Sequence, residues 1–388
     1  GVADRLYILK QGRVRAGAAE LAQTADEVLG PGECFPLSAL IGRFHGGPAQ
    51  VGVLSSTLFG GVSGSAVADA SAIGSLLIPW HKRLGYPAAF SAATLAAAAT
   101  IDILIPPSIP MILFALSSNA SIASLFVAGV LPGLLMCAGF MAACWWGGKR
   151  RNFPRDTTPR DRAAFRRHLL YASPAIVLPV LIIIFLRFGI ATPTEGGAMG
   201  AAGAFVLGVA KRRLSLRLLT QAVDSTARLS IFVLFILIGA TVFSFAFNAA
   251  EGHTWVEGLF EHLPGGQIGF LLAVCALVFV LGMFIDAFEI AFIVIPILAP
   301  VAVAMEVDLV WFGVVIAMTL QTSFLTPPFG LALSYLRSVA PKSDTMAADG
   351  SRSRGVSTGQ IYAGCVPFIV LQIVATLIVI YRPSRSEE

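Results

Sequence analysis

The chain has 388 residues, 56% hydrophobic and only 13% charged, with mean hydropathy +0.80 and a net charge of +5. A soluble domain carries about 25% charged residues, so this is a polytopic membrane protein, and its length does not count soluble domains. No RNP, zinc-finger or P-loop pattern occurs, so the basic balance records loop orientation rather than nucleic-acid binding; Cys34, Cys137, Cys144, Cys275 and Cys365 form no CxxC pair, which leaves neither a disulfide framework nor a zinc site.

The first 47 residues differ from the rest. "LYILKQGRVRAG" reads as a strand and "VLGPGECF" as a turn leading into another, a small β-rich fragment too short to bury a core alone. The chain opens at Gly1 with neither an initiator Met nor a signal-peptide pattern, and its start reads as truncated or processed. From about Gly52 onward, apolar segments alternate with short polar loops.

Those loops give the sidedness. Residues 149–168 hold eight Lys/Arg and two Asp, and 211–217, "HKR" (81–83) and 337–354 are also basic. Residues 250–266 hold three Glu and no Lys or Arg, and "SSNAS" (117–121) is uncharged. The positive-inside rule puts the basic loops in the cytoplasm and the other two outside. The spans then run outward over 88–116, inward over 122–146, outward over 169–188, inward over 194–210 and outward over 226–249. Thr192, Pro193 and Glu195 have the spacing of a capping box that opens the span at 194.

Two stretches do not thread as single spans. Residues 50–80 contain "GGVSGSAVADAS" and 267–305 contain "GMFIDAFE", polar or flexible where a span is driest. Each reads as a re-entrant hairpin, the first dipping from the cytoplasm and the second from outside. Each is followed by a segment broken at Pro-Pro: "ILIPPSIP" (103–110) and "FLTPPFG" (324–330). An offset of 221 residues carries Pro79, Pro106 and Pro107 onto Pro300, Pro327 and Pro328. The fold class is therefore an all-α polytopic membrane protein of two inverted repeats, each with a re-entrant helical hairpin and a Pro-Pro-broken helix. Interrupted helices in inverted repeats mark secondary transporters, whose breaks present carbonyls to cations and helix N-termini to anions. Ordinary proline kinks are the plainer reading of either break alone.

Ser63, Gly64 and Ser65 at the first tip offer hydroxyls and open backbone suited to Na⁺ or a carboxylate, or simply small residues for close packing. Asp69 and Asp102 lie in apolar surroundings, where charge is costly and usually functional, and Asp286 and Glu289 hold the second tip. Gln321, Thr322, Ser323 and Thr326 cluster before the second break, as site residues or as interhelical hydrogen-bonding groups. His253 and His262 fall in the outer loop and read as solvated.

The motifs "FGGVSGSAVADASAIGSLLIP", "IPPSIPM", "LFVAGVLPGLL", "ATPTEGGA", "GMFIDAFEIAFIVIPILAP", "FGVVIAMTLQTSFLTPPFGLAL" and "VPFIVLQ" resemble the large membrane subunit of the tripartite ATP-independent periplasmic (TRAP) transporters, the DctM type, from about Gly47 to Arg382. The resemblance implies a multi-pass protein of the bacterial inner membrane and no enzyme. It implies an elevator-type carrier that imports a small organic anion with Na⁺ as the coupling ion and without another cofactor. Its partners would be a periplasmic substrate-binding protein and a small membrane subunit of the DctQ type. Dicarboxylates, 2-oxo acids, sialic acid and other small organic anions stay open as substrate. Carried over by motif, Ser63, Gly64, Ser65 and the break at Pro106, Pro107 and Ser108 form one half of the site, and Asp286 with the break from Thr326 through Pro327 and Pro328 to Gly330 forms the other. The substrate set is Ser63, Gly64, Ser65, Asp102, Pro107, Ser108, Gln321, Thr322 and Pro328; the Na⁺ set is Ser63, Ser65, Asp102, Pro106, Asp286, Thr326, Pro327 and Gly330.

The chain departs from that family in three ways. The family has further membrane helices before the first hairpin. In their place residues 1–47 resemble part of a cyclic-nucleotide-binding domain, with "FPLSAL" where a Gly-Glu pair would hold the nucleotide, so no nucleotide binding is expected and 48–388 carry the permease domain. The family usually has Gly where Asp102 stands. Two other readings remain: a non-transporting regulatory membrane protein, and a rhomboid-like intramembrane serine protease, since "GVSG" (61–64) fits GxSG with Ser63 as nucleophile. The protease needs a general base, and the apolar segments as drawn contain no His.

Overall fold

The computed structural model describes residues 41–155, 173, 177–211, 214–261, 264–328, 330, 332–334, 336, 345–346, 352–353 and 357–381. The β-rich fragment apart from residues 41–47, most of the 149–168 loop, much of the 337–354 loop and His262 lie outside them.

The first repeat opens with α1 (Gly47–Ser63) and α2 (Ala66–Arg83). Two residues join them. Gly64 ends α1 in the left-handed conformation that favours glycine, and Ser65 starts α2 by accepting from Ala68 N–H. The two far ends of the pair meet again, because His81 Nε2 lies 2.9 Å from the Pro48 carbonyl. The pair is thus a re-entrant hairpin. This corrects the reading of His81 as part of a basic loop: it is fully buried and clips the hairpin shut. Its neighbours Lys82 and Arg83 form the last turn of α2 and carry the basic charge of this stretch.

Next comes α3 (Ala88–Thr100), whose residues from Ser91 to Thr100 are all buried. Its small side chains let α1 and α2 pack directly on it. A 3₁₀ turn (Ile101–Ile103) follows, and regular helix resumes only at α4 (Ile109–Ser118). Pro106 and Pro107 supply no N–H to the carbonyls four residues earlier, which forces the gap. Then α5 (Ile122–Arg150) crosses the protein.

A pair of helices, α6 (Val177–Arg187) and α7 (Pro193–Ala210), links the repeats. The capping box at Thr192 and Glu195 is present. The next span, α8 (Leu216–Ala249), starts ten residues earlier than its hydropathy suggested, because Ser215 caps it through Leu218 N–H. The acidic outer loop contains a helix, α9 (Gly252–Glu261).

The second repeat has α10 (Gly266–Leu281) and α11 (Ala287–Ala304), the latter with a π-helical stretch at Ile290–Val294. Gln267 donates to the carbonyls of Met305 and Glu306, so this pair is also closed at its far end as a re-entrant hairpin. The broken helix begins as α12 (Leu309–Ser323), and α13 (Thr358–Tyr381) closes the chain's described part. A short antiparallel pair, Thr345–Met346 with Arg352–Ser353, lies between them.

The 221-residue offset now has structural content. It carries Ala66–Arg83 onto Ala287–Ala304, the start of α3 onto the start of α12, and the cap Ser65 onto the cap Asp286. The repeats also exchange helices: α13 packs on α3 and α5 packs on α12. Phe153 packs against Tyr86 and Phe90, and Arg155 bonds His45, so the loop after α2 and the basic loop after α5 share one face, as the charge pattern expects.

Candidate functional site

The first hairpin tip is seated on the first break. A Cβ built on Gly64 would lie 2.6 Å from the Pro107 carbonyl oxygen, so only glycine fits there, and Ile109 N–H donates to the Gly64 carbonyl at 3.4 Å. Ser63 Oγ accepts from Ser65 N–H and donates to Asp102 Oδ2, both at 3.3 Å. Two helix N-termini, those of α2 and α4, converge on this contact, capped by Ser65 and Ser108. Ser63, Gly64, Ser65, Asp102, Pro106, Pro107 and Ser108 therefore come together.

Ser108 has a further local task. Its buried hydroxyl donates to the Ile103 carbonyl at 2.6 Å, the acceptor that Pro107 leaves without an amide, and accepts from Met111 N–H. Asp102 is fully buried, and Gly60 faces its carboxyl so closely that any side chain there would collide. Asp69, also fully buried, is on α2, which packs against both α1 and the 3₁₀ turn that holds Asp102. Burying an unpaired carboxylate costs several kcal/mol, on the order of the net stability of a small domain, so these groups are a specific feature rather than filler.

The second half is built differently. Asp286 caps α11, accepting from Ala287 N–H at 2.6 Å, while Glu289 accepts from Asp286 N–H. The hairpin meets the broken helix at Gly282, whose added Cβ would strike Ser323 Oγ. Thr322 and Thr326 bond carbonyls one turn back, and Gln321 is buried with neither end of its amide hydrogen-bonded among the described residues. Pro327 and Pro328 are exposed, whereas Pro106 is buried. Gly330, with φ of 49°, curls over the Thr326 and Phe324 carbonyls. The described contacts bring Thr326 and Gly330 together but give Asp286 partners only on its own element.

Ser63 faces a carboxylate, not an imidazole. His81 sits at the opposite end of α2, roughly 25 Å away along the helix at 1.5 Å per residue. His81 therefore cannot serve Ser63 as the base that the protease reading needs.

Residues 36–384 match the model of the family described as "Tripartite ATP-independent periplasmic transporter, DctM component". The chain belongs to this DctM family. Among relatives, it is 38% identical over 299 residues to an uncharacterized protein of Sinorhizobium fredii, covering 77% of this chain and 71% of the relative. It is 33% identical over 302 residues to the 2,3-diketo-L-gulonate TRAP transporter large permease protein YiaN of Escherichia coli, covering 78% and 71%. With the isethionate TRAP transporter permease protein DctMQ of Oleidesulfovibrio alaskensis it shares 32% identity over 346 residues, 89% of this chain but about half (52%) of that longer protein. DctM proteins are multi-pass inner-membrane transport proteins rather than enzymes, and so is this chain.

Three residues of this DctM chain that contact the breaks or the first hairpin carry no signal of their own in the sequence. Tyr362 on α13 donates its hydroxyl to the Pro328 carbonyl at 3.3 Å. Gln372 donates to Thr100 just before the first break, at 3.0 Å. Ser56 faces Asp69 from α1. A serine, a glutamine or a tyrosine in an apolar helix is common enough that only its long-range partner marks it. The spacing of Ser56, Gly60 and Ser63 along one helix face was the available signal for Ser56.

Proposed function

We propose that the chain is the large membrane subunit of a secondary carrier that imports a small organic anion with Na⁺. It works by an elevator-type movement, takes the anion from a periplasmic binding protein, and acts with a small membrane subunit. The observation that carries this reading is the first hairpin tip seated on the Pro-Pro break, where the N-termini of α2 and α4 converge beside buried oxygens. Helix N-termini attract a carboxylate or sulfonate, and the relatives named for 2,3-diketo-L-gulonate and isethionate are named for organic acids.

Ser63, Gly64, Ser65, Asp102, Pro107 and Ser108 would line the anion's first half, and Gln321, Thr322 and Pro328 the second. Hard oxygens suit Na⁺. Ser63, Ser65, Asp102 and the Pro106 carbonyl supply them at the first tip. Asp286, the repeat counterpart of Ser65, would supply them in the second half with Thr326, Pro327 and Gly330. Bound Na⁺ offsets negative charge at the site, so ion and anion favour each other's binding. The sparse contact of α8 with the rest, at the second hairpin and α9, suits a scaffold past which the hairpin body slides.

The test is uptake in proteoliposomes with the cognate binding protein and small subunit. Wild type should require Na⁺, and Ser65→Ala and Asp286→Ala should each raise the Na⁺ concentration needed. Uptake indifferent to Na⁺ discards the coupling, no uptake at all favours a regulatory protein, and unchanged Na⁺ dependence in both variants misplaces the ion.

A further inference from the structure

We infer that Ser56, Asp69 and Asp102 form a separate cation site beneath the first hairpin tip, one that takes a Na⁺-sized monovalent cation in addition to any ion held at the tip itself. The inference rests on the reading of the chain as a Na⁺-coupled carrier and extends it to an ion that the repeat symmetry does not supply.

Three elements meet there. Ser56, Gly60 and Ser63 lie along one face of α1, Asp69 is in the first turn of α2, and Asp102 is in the 3₁₀ turn before the break. Ser56, Asp69 and Asp102 are each at most 1% exposed. Among the described residues, the Ser56 hydroxyl, both Asp69 oxygens and Asp102 Oδ1 have no hydrogen-bond partner outside this cluster. Asp102 is divided: Oδ2 takes the Ser63 hydroxyl and so belongs to the tip, while Oδ1 is free on its other side. Two buried carboxyls and a hydroxyl, with no cationic side chain bonded to either among the described residues, leave positive charge as the missing component.

The scaffold itself does not call for this cluster. The 221-residue offset puts Leu277, Ile290 and Ser323 at the positions of Ser56, Asp69 and Asp102, so the other repeat folds the same hairpin with no carboxyl there. Gly60 is the residue that leaves room, since a Cβ at that position would occupy the space of the Asp102 carboxyl. Hard oxygen donors select Na⁺-like ions over softer metals. Few ligands in a dry, close-packed pocket disfavour Ca²⁺, which wants six to eight oxygens, and Mg²⁺, which keeps its waters.

The experiment is equilibrium binding of radiolabelled Na⁺ to the purified full chain, with Na⁺-dependent thermal stabilisation as a second readout. Wild type should bind one Na⁺ more per chain than Asp69→Asn. Ser56→Ala, which keeps both carboxyls and should fold even where Asp69→Asn does not, should weaken one class of sites about tenfold, the scale on which loss of a supporting group lowers metal affinity. Equal stoichiometry and affinity in wild type and Ser56→Ala would overturn the site, as would displacement of the extra Na⁺ by Mg²⁺ or Ca²⁺ at equal concentration. Wild type that binds no Na⁺ at all would instead sink the carrier reading on which the site depends.

Discussion

Gly60, Gly61 and Gly64 follow one another along the first tip, yet the structure assigns them different sensitivities. At Gly64 the backbone is left-handed and an added Cβ meets the Pro107 carbonyl at 2.6 Å. Gly64→Ala therefore combines a conformational cost of about 1–2 kcal/mol with a collision against backbone that cannot yield. Gly61 has ordinary dihedrals and its nearest neighbour would be 3.6 Å away, so Gly61→Ala should be close to neutral. Thermal unfolding of the two variants in detergent checks the contrast; equal melting temperatures would contradict it. Gly60→Ala collides with a side chain rather than with backbone, namely the carboxyl of Asp102. It should be destabilising alone and largely rescued by Asp102→Gly, a coupling that a double-mutant cycle measures directly. Additive effects would mean that the two residues do not share that space.

At the scale of elements, the breaks and caps decide where helices stop. Ser108 does two jobs across the first break, donating to the Ile103 carbonyl and capping α4. Ser108→Ala leaves that acceptor buried and unpaired, and the expected loss is about 1–3 kcal/mol together with impaired uptake. Thr192 offers a control. It caps α7 at an exposed position, so Thr192→Ala should lose about 1 kcal/mol or less and leave uptake intact. Uptake that fell equally in both variants would show that any lost cap disables the protein, not the break in particular. The two hairpins are closed by different residues at equivalent places, His81 in one and Gln267 in the other, which is how one architecture tolerates diverged sequence.

At the scale of the whole molecule, the inverted repeat requires the two hairpins to enter from opposite sides. The faces near Arg155 and Glu251 should then lie on opposite sides of the membrane. Single-cysteine variants at these positions, with native cysteines replaced, should differ in labelling by an impermeant thiol reagent applied outside: position 251 reacts and position 155 does not. Labelling of both from outside would break the topology. The exchange of α5 and α13 between repeats also means that neither half buries its broken helix alone. Expressed separately, each should fail to give a stable monodisperse product.

Hydropathy, both hairpins, both breaks and the capping box at Thr192 are legible in the sequence. Each depends on rules that act within a few residues: proline withholds an amide, glycine permits a left-handed turn, and a serine, threonine or aspartate caps the helix that follows it. Even the repeat was legible, because Pro-Pro pairs and hairpin tips recur at one offset. The remaining features come from long-range packing. That Asp102 bonds Ser63 and faces Asp69, that His81 is a buried clip rather than a loop cation, and that Tyr362 reaches Pro328 are pairings across 33 or more residues. No local periodicity specifies them. They follow from which helix faces are pressed together, and in a chain where nearly every face is apolar, hydropathy does not choose among faces.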